Sequence, residues 1–241
     1  MSRGKLLGFG LLTAIAVFVC VRLGIWQLHR LGERQAQNAV VSERGAMPPL
    51  DLASLQGQDT TVTHWRRVRV HALADYAHEA VHATRSQAGA PGVHLLTPII
   101  ALDGGWADTA IVLVRGYIYS PDARTIDHDK VREGDTLTLD ALVLSYPPAR
   151  VERVTLPSNP RAVRVLNHDS LSRIMGQPLA PFLLLALGDT TVTDVAKLTR
   201  IPPPSLGEGP HRSYAFQWFG FATVFLVGFV AVARSKRPPK A

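Results

Sequence analysis

The sequence predicts a membrane protein of the α+β class, in which two transmembrane helices flank an antiparallel β-rich domain, a sheet or partly closed barrel, with one short helix. Three observations lead there. Two long apolar stretches lie toward the ends of the 241-residue chain. The residues between them fall into alternating or β-rich runs broken by turn signals. Both apolar stretches carry basic flanks on their terminal side. The expected division is residues 6–29 as the first span, 30–210 as an external, periplasmic β-rich domain with its linkers, 211–233 as the second span, and 234–241 as a basic cytoplasmic tail.

The first span runs from about Leu6 into the region of Trp26 and follows Arg3 and Lys5. Its apolar run continues through Gly24-Ile25-Trp26-Gln27-Leu28, which is longer than a cleaved signal peptide and lacks its small-residue cleavage site. It is read as a retained anchor. Cys20 follows Val19, where a lipoprotein site wants a small residue, and as the only cysteine it forms no internal disulfide or CxxC metal site. It is expected to be buried among helices or in lipid. No Arg-rich, Ser-rich amphipathic leader precedes the span, which favours a bacterial inner membrane over an imported mitochondrial protein.

Residues 32–58 are polar with Pro48-Pro49 inside, and are expected to form a partly helical connection. Arg67 to Ala72 alternates strictly, as a half-buried strand does. Val93–Leu102, Ala110–Tyr119 and Thr136–Tyr146 are β-rich, separated by turn signals such as Asp103-Gly104-Gly105 and Arg132-Glu133-Gly134-Asp135. A short helix is expected over Asp169–Met175, with Asp169 as N-cap and Gly176 ending it. Phe182–Leu187 reads as a last buried strand, and Pro202-Pro203-Pro204 with Gly207-Glu208-Gly209-Pro210 as a return linker. The second span, Tyr214–Ala233, has no charge and is long enough to cross a hydrocarbon core of about 30 Å. Arg234, Lys236, Arg237 and Lys240 follow it.

Short basic flanks stay on the cytoplasmic side, so both termini are expected in the cytoplasm and the central domain outside. The chain has 26 Lys plus Arg against 19 Asp plus Glu, and six of the basic residues are these flanks. The remainder is close to neutral, so the excess charge is a membrane-orientation signal and not a nucleic-acid footprint.

Two constellations carry candidate chemistry. His78-Glu79-Ala80-Val81-His82 matches the HExxH pattern of zinc peptidases, which needs a helix so that both imidazoles meet one metal ion. On a strand they would stand about 13 Å apart. The pattern lies between strand-like runs and lacks an evident third ligand, so the expectation is a solvated surface segment. The second constellation is at the outer end of the last span. His211, Tyr214, Trp218, Ala222 and Phe225 recur at helical spacing, which puts an imidazole at the water boundary above aromatic rings. An imidazole there can ligate an iron porphyrin, although His, Tyr and Trp also serve as plain interface anchors. The first span places Trp26, Gln27, His29, Arg30 and Arg34 at the same depth, and the arginines suit carboxylates such as propionates, or phospholipid headgroups.

Five motifs in order, Gly24-Ile25-Trp26-Gln27-Leu28-His29-Arg30, Trp65-Arg66-Arg67-Val68-Arg69-Val70, Gly92-Val93-His94-Leu95-Leu96-Thr97-Pro98, Val112-Leu113-Val114-Arg115-Gly116 and His211-Arg212-Ser213-Tyr214-Ala215-Phe216-Gln217-Trp218-Phe219, resemble the surfeit locus protein 1 family over nearly the whole chain. Tyr117 stands where that family usually has Trp, Ala72 where Gly is commoner, and Gly209-Pro210 replaces an Asn-containing lead into the histidine. The resemblance implies a non-enzymatic assembly factor for haem-copper cytochrome c oxidase that binds haem a transiently. Its partners would be oxidase subunit I, the lipid bilayer and, as a further candidate, haem a synthase. It makes His211 the candidate haem-iron ligand and gives His78–His82 no metal role. The alternatives are an oxidase scaffold that never touches haem and a zinc metallopeptidase using His78, Glu79 and His82. His94 and Arg115 are expected to be a satisfied polar side chain and a strand-end charge, and Gly92 and Gly116 turn or close-packing residues.

Overall fold

The computed structural model describes residues 3–106, 108–148, 155–156, 159–191, 194 and 197–235. Lys236, Arg237 and Lys240 of the expected basic tail lie outside them. The chain divides into two compact units, residues 1–42 with 206–241, and residues 43–205.

The first unit is an antiparallel helix pair made by α1 (Arg3–Ala46) and α4 (His211–Arg234). The expected partly helical connection is helical to Ala46 and continuous with α1, which runs for 44 residues without a break because Arg, Glu, Gln and Ala after His29 are good helix formers, and it ends just before Pro48-Pro49. Among its covered positions, Leu6, Gly10, Thr13, Val17, Cys20, Gly24, Gln27, Leu31, Arg34 and Asn38 follow alternating steps of four and three and include every buried one. That is the seam of a left-handed helix pair. Cys20 is buried in it, as expected.

On α4 the matching positions are His211, Ala215, Trp218, Ala222 and Phe229. Small residues let the helices approach: a Cβ on Gly24 would stand 2.6 Å from the Phe219 ring. Lower down, the Phe9 and Phe229 rings lie 5.8 Å apart. Beyond the apolar part, Arg34 donates to the Gly207 carbonyl (3.2 Å), Gln35 to the Glu208 carboxylate (2.7 Å) and Asn38 to the Leu206 carbonyl (2.7 Å). Both helices are long and apolar enough to cross a membrane, and only 11% of each apolar window is buried within the protein. Helices of that length and apolar exposure are membrane-spanning in character and suggest a membrane protein.

The second unit holds β1 (Leu50–Asp51), α2 (Thr60–Thr63), β2 (Arg67–Ala74), β3 (Ala80–Gln87), β4 (Ala90–Ala101), β5 (Ala110–Tyr119), β6 (Thr136–Ser145), β7 (Thr155–Leu156), β8 (Asn159–Val163), α3 (His168–Met175) and β9 (Leu179–Ala186). The strand order is β1-β2-β6-β9-β5-β4-β3-β8-β7, and β2 also pairs with β4. That extra pairing, Ala72–Ala74 against Ile99–Ala101, closes a five-stranded ring from β2, β6, β9, β5 and β4. The partly closed barrel is therefore present. Its sheet is mixed where an antiparallel one was expected, because β1–β2, β3–β8 and β5–β9 run parallel.

Val68, Val70, Ala72, Leu113, Phe182 and Leu184 join one core, where the Trp106 indole donates to the Leu52 carbonyl at 3.0 Å. The alternate residues Val112, Val114, Leu183 and Leu185 face a second core covered by Leu171 and Met175 of α3. Burial on both faces explains why β5 and β9 read as continuous apolar runs. Helix α3 is capped by Asn167, whose side chain accepts from the Ser170 amide at 2.9 Å, so Asp169 is a first-turn acid and not the N-cap. Gly176 ends it in the left-handed region, as expected (φ 67°).

Arg115 lies inside β5 and is fully buried, which corrects its reading as a strand-end charge. It donates to Glu79 (2.6 Å), Thr97 (2.7 Å), the Val131 carbonyl (2.6 Å) and Glu133 (3.1 Å). Arg200 extends the network, reaching Glu133 at 2.7 Å and the Arg115 carbonyl at 2.7 Å. The Tyr76 ring covers the Arg115 guanidinium at 5.0 Å. Glu79 is also fully buried; Thr97 donates to it, and His128 stands 2.7 Å away. Burial pushes the Glu79 carboxyl up, but the His128 hydrogen bond, the Arg115 charge and the Thr97 and Arg115 hydrogen bonds outweigh it, so it titrates below the usual range.

Beside this centre, His82, His94 and Tyr117 form one cross-strand rung, with ring separations of 5.8 and 6.4 Å. Burial, then the Arg85 charge, lowers His82 to about 4. Burial, then His82 and Arg85, lowers His94 to about 3. Gly92 is a close-packing residue, since a Cβ there would meet the Ile118 carbonyl at 2.3 Å. Gly116 packs as tightly on the Thr199 carbonyl, at 2.4 Å.

Two outcomes are expected. Glu79→Gln leaves the buried guanidinium without its full counter-charge and should cost about 3–5 kcal/mol in chemical denaturation of the full chain; a loss below about 0.5 kcal/mol would remove the network from the account of stability. The unfolded chain protonates His82 and His94 near the ordinary histidine value, whereas the folded one does so only near 4 and 3. Their contribution is therefore complete above about pH 6.5 and is lost as pH falls through the folded values. His94→Gln should flatten the decline in stability between pH 6.5 and 5, and an unchanged slope would contradict the burial of a neutral imidazole.

Candidate functional site

The HExxH pattern does not form a metal centre. His78 ends a 3-10 turn over Tyr76–His78, is exposed, and bonds Asp75 at 2.7 Å. His82 lies on β3 with Nε2 3.1 Å from the Arg164 carbonyl. A turn followed by a strand does not bring i and i+4 imidazoles to one ion. Glu79, held ionised by Arg115 and His128, is a poor general base, because base strength falls with a lowered pKa. The expectation of a solvated segment is corrected: Glu79, Ala80, Val81 and His82 are buried, and only His78 is exposed. Among the described residues no group of three His, Cys, Asp or Glu is placed to hold a metal ion.

The second candidate is at the polar end of the helix pair. His211 is the first residue of α4, after Pro210, which supplies no side-chain cap. Gln27 is buried in the α1 seam, and its amide oxygen is 2.8 Å from His211 Nδ1. With the amide oxygen as acceptor, Nδ1 is the donor, and in the neutral ring of that tautomer Nε2 carries the lone pair. This is the arrangement by which an outer partner orients a ligating imidazole. Nε2 has no hydrogen-bond partner among the described residues.

The other expected site residues are placed as follows. Trp218 is half-buried and meets Phe221 edge-on at 5.9 Å. Tyr214 and Phe225 are each 46% exposed, so the expected single face divides into a seam of His211, Trp218 and Ala222 and an open flank. Trp26 is 52% exposed on α1. Arg30 is exposed and paired with Glu33 at 2.5 Å. No ring contact or hydrogen bond joins Trp26, Arg30 or the Tyr214 ring to His211 among the described residues. Arg34 is tied to the Gly207 carbonyl.

Gln27 is the partner that sequence reasoning left without a role. The signal for it was present, because Gly24, Gln27 and Leu31 continue the four-three seam spacing through a polar residue. Glu208, paired with Arg212 at 2.9 Å, places a carboxylate just before the α4 N-terminus, where it complements the helix dipole.

A family model described as the SURF1 family matches residues 14–223. Relatives match over nearly the whole chain. A SURF1-like protein of Rickettsia bellii (strain RML369-C) is 27% identical over 93% of this chain and 90% of its own length. One from Rickettsia conorii (strain ATCC VR-613 / Malish 7) is 24% identical over 92% of this chain and 90% of its own, and one from Rickettsia felis (strain ATCC VR-1525 / URRWXCal2) 24% over 93% and 96%. With the matched region running from the apolar part of α1 through the barrel and past the His211–Gln27 contact into α4, the chain belongs to the SURF1 family.

Proposed function

We propose that this protein assists assembly of a haem-copper cytochrome c oxidase, taking up haem a at the outer end of its helix pair and passing it to subunit I, with haem a synthase as the candidate donor. The assembly reading rests on family membership, and the haem reading on the His211–Gln27 contact. Haem a, as cargo, brings an iron that accepts an axial nitrogen and a macrocycle that packs on aromatic rings. The residues present fit that chemistry. His211 offers the Nε2 lone pair, Gln27 holds its tautomer through Nδ1–H, and the Trp218 and Tyr214 rings supply apolar faces. Trp26 and Arg30 stand on the neighbouring helix, where the guanidinium exchanges its exposed Glu33 partner for a propionate at little cost. One imidazole gives a hold weak enough to release its cargo to the finished oxidase site.

In this reading both termini lie in the cytoplasm of a bacterial cell and the barrel lies in the periplasm. Arg3, Lys5 and Arg234 at the terminal ends of the helices support it through the positive-inside tendency.

His211→Ala should remove or sharply weaken the haem a band in the absorption spectrum of protein purified from cells that make haem a, while the chain still inserts. Gln27→Leu should weaken retention by about 10–100-fold, the usual cost of losing a ligand's orienting partner, and Trp218→Ala less than His211→Ala. A fully loaded His211→Ala protein would leave the scaffold alternative standing. For topology, a reporter fused near Asp135 should be active only if it works in the periplasm, and one fused after Ala241 only if it works in the cytoplasm; the reverse pattern at Asp135 would end the model.

A further inference from the structure

The apolar part of α1 contains one charge that no described residue neutralises. Arg22 lies two residues from both Cys20 and Gly24, so it stands about 200° around the helix from the seam that meets α4. It is exposed on the opposite face and makes no hydrogen bond or ion pair among the described residues. Its neighbours one turn away are Phe18, Val19, Ile25 and Trp26, with relative exposures of 65, 47, 39 and 52%. No Asp or Glu occurs in residues 3–32 or 211–234.

Arg22 lies four residues, about 6 Å, before Trp26 and eight residues, about 12 Å, before Arg30 along the helix axis. A long side chain near a helix end reaches the interface by snorkelling. Here that route is opposed by geometry, because side chains lean toward the helix N-terminus. In the proposed topology that direction is the bilayer centre, and the next basic positions that way, Arg3 and Lys5, are more than four turns off. A guanidinium facing an apolar medium without a partner is costly, and such residues pair with one another or with groups of a neighbouring segment.

We propose that the Phe18–Arg22–Ile25 face of α1 docks a transmembrane segment of a partner protein that carries a carboxylate at matching depth. The inference rests on the membrane-spanning reading of α1. The Arg22 guanidinium forms a charge-assisted, bidentate-capable pair with that carboxylate, while Phe18, Val19 and Ile25 pack on the partner's apolar side chains. Because the face is opposite to the α4 seam, docking there leaves His211 and Gln27 undisturbed.

The test uses the full chain reconstituted in phosphatidylcholine vesicles with labelled Leu-rich transmembrane peptides bearing Glu, Gln or Leu four residues inside an interfacial Trp, with association read by energy transfer. The Glu peptide should associate about fivefold to thirtyfold more strongly than the Leu peptide. Arg22→Leu should abolish that preference and Arg22→Lys should retain part of it. Equal association of the Glu and Leu peptides, or a preference that survives Arg22→Leu, would overturn the proposal. So would an Arg22-dependent enrichment of phosphatidylglycerol without any Glu preference, which would make the face a headgroup site. Alkaline extraction and protease accessibility of both termini are measured on the same vesicles, so that a chain failing to insert is recognised as a failure of the spanning reading itself.

Discussion

A guanidinium removed from water must be met by charge and hydrogen bonds on every side, and the second unit is organised around that demand at Arg115. The residue sits within β5, which is buried on both faces, so no route to solvent is open to it. Glu79 must then turn inward from the start of β3, Thr97 must present its hydroxyl from β4, and the segment through Val131 and Glu133 must fold over the site. Arg200 fastens the far segment to the same point through Glu133 and the Arg115 carbonyl. Such a centre is weak evidence for net stability but strong evidence for a unique arrangement, since any shift of one strand strands a charge.

The same demand decides the fate of the zinc-like motif. A carboxylate held on Oε1 by His128 and on Oε2 by Arg115 and Thr97, and fully buried, is committed to the core and not presented to a water. The two histidines beside it are separated by the turn that lets Glu79 enter the core. Packing and charge pairing thus convert a peptidase signature into a structural element.

The helix pair obeys a different constraint. In an apolar medium helices gain little from hiding apolar surface and associate through close fit and a few polar contacts. Gly10, Gly24, Ala215 and Ala222 supply the fit, and the Gln27–His211 contact supplies a polar lock where α4 begins. One hydrogen bond thereby registers the helices and fixes the imidazole's tautomer, which joins the architecture of the pair to the chemistry proposed for it.

The sequence by itself determined the two apolar helices, the alternation of β2, the doubly buried runs of β5 and β9, and the stop of α3 at Gly176, because each depends on local periodicity or backbone preference. Cys20 was likewise legible as a buried residue, and His211 as the residue that opens the last apolar helix. Only tertiary structure decided the rest. Strand β3 was hidden because Ala80–Gln87 has neither clean alternation nor a strong propensity, and it becomes a strand by pairing His82 with His94. Barrel closure through Ala72–Ala74 and Ile99–Ala101, and the parallel partnership of β5 with β9, join segments far apart in the chain, which no local pattern encodes. Arg115, Glu79 and Gln27 looked like surface charge, motif and interface polarity because burial is a property of what lies across from a residue, and a sequence records only what lies beside it.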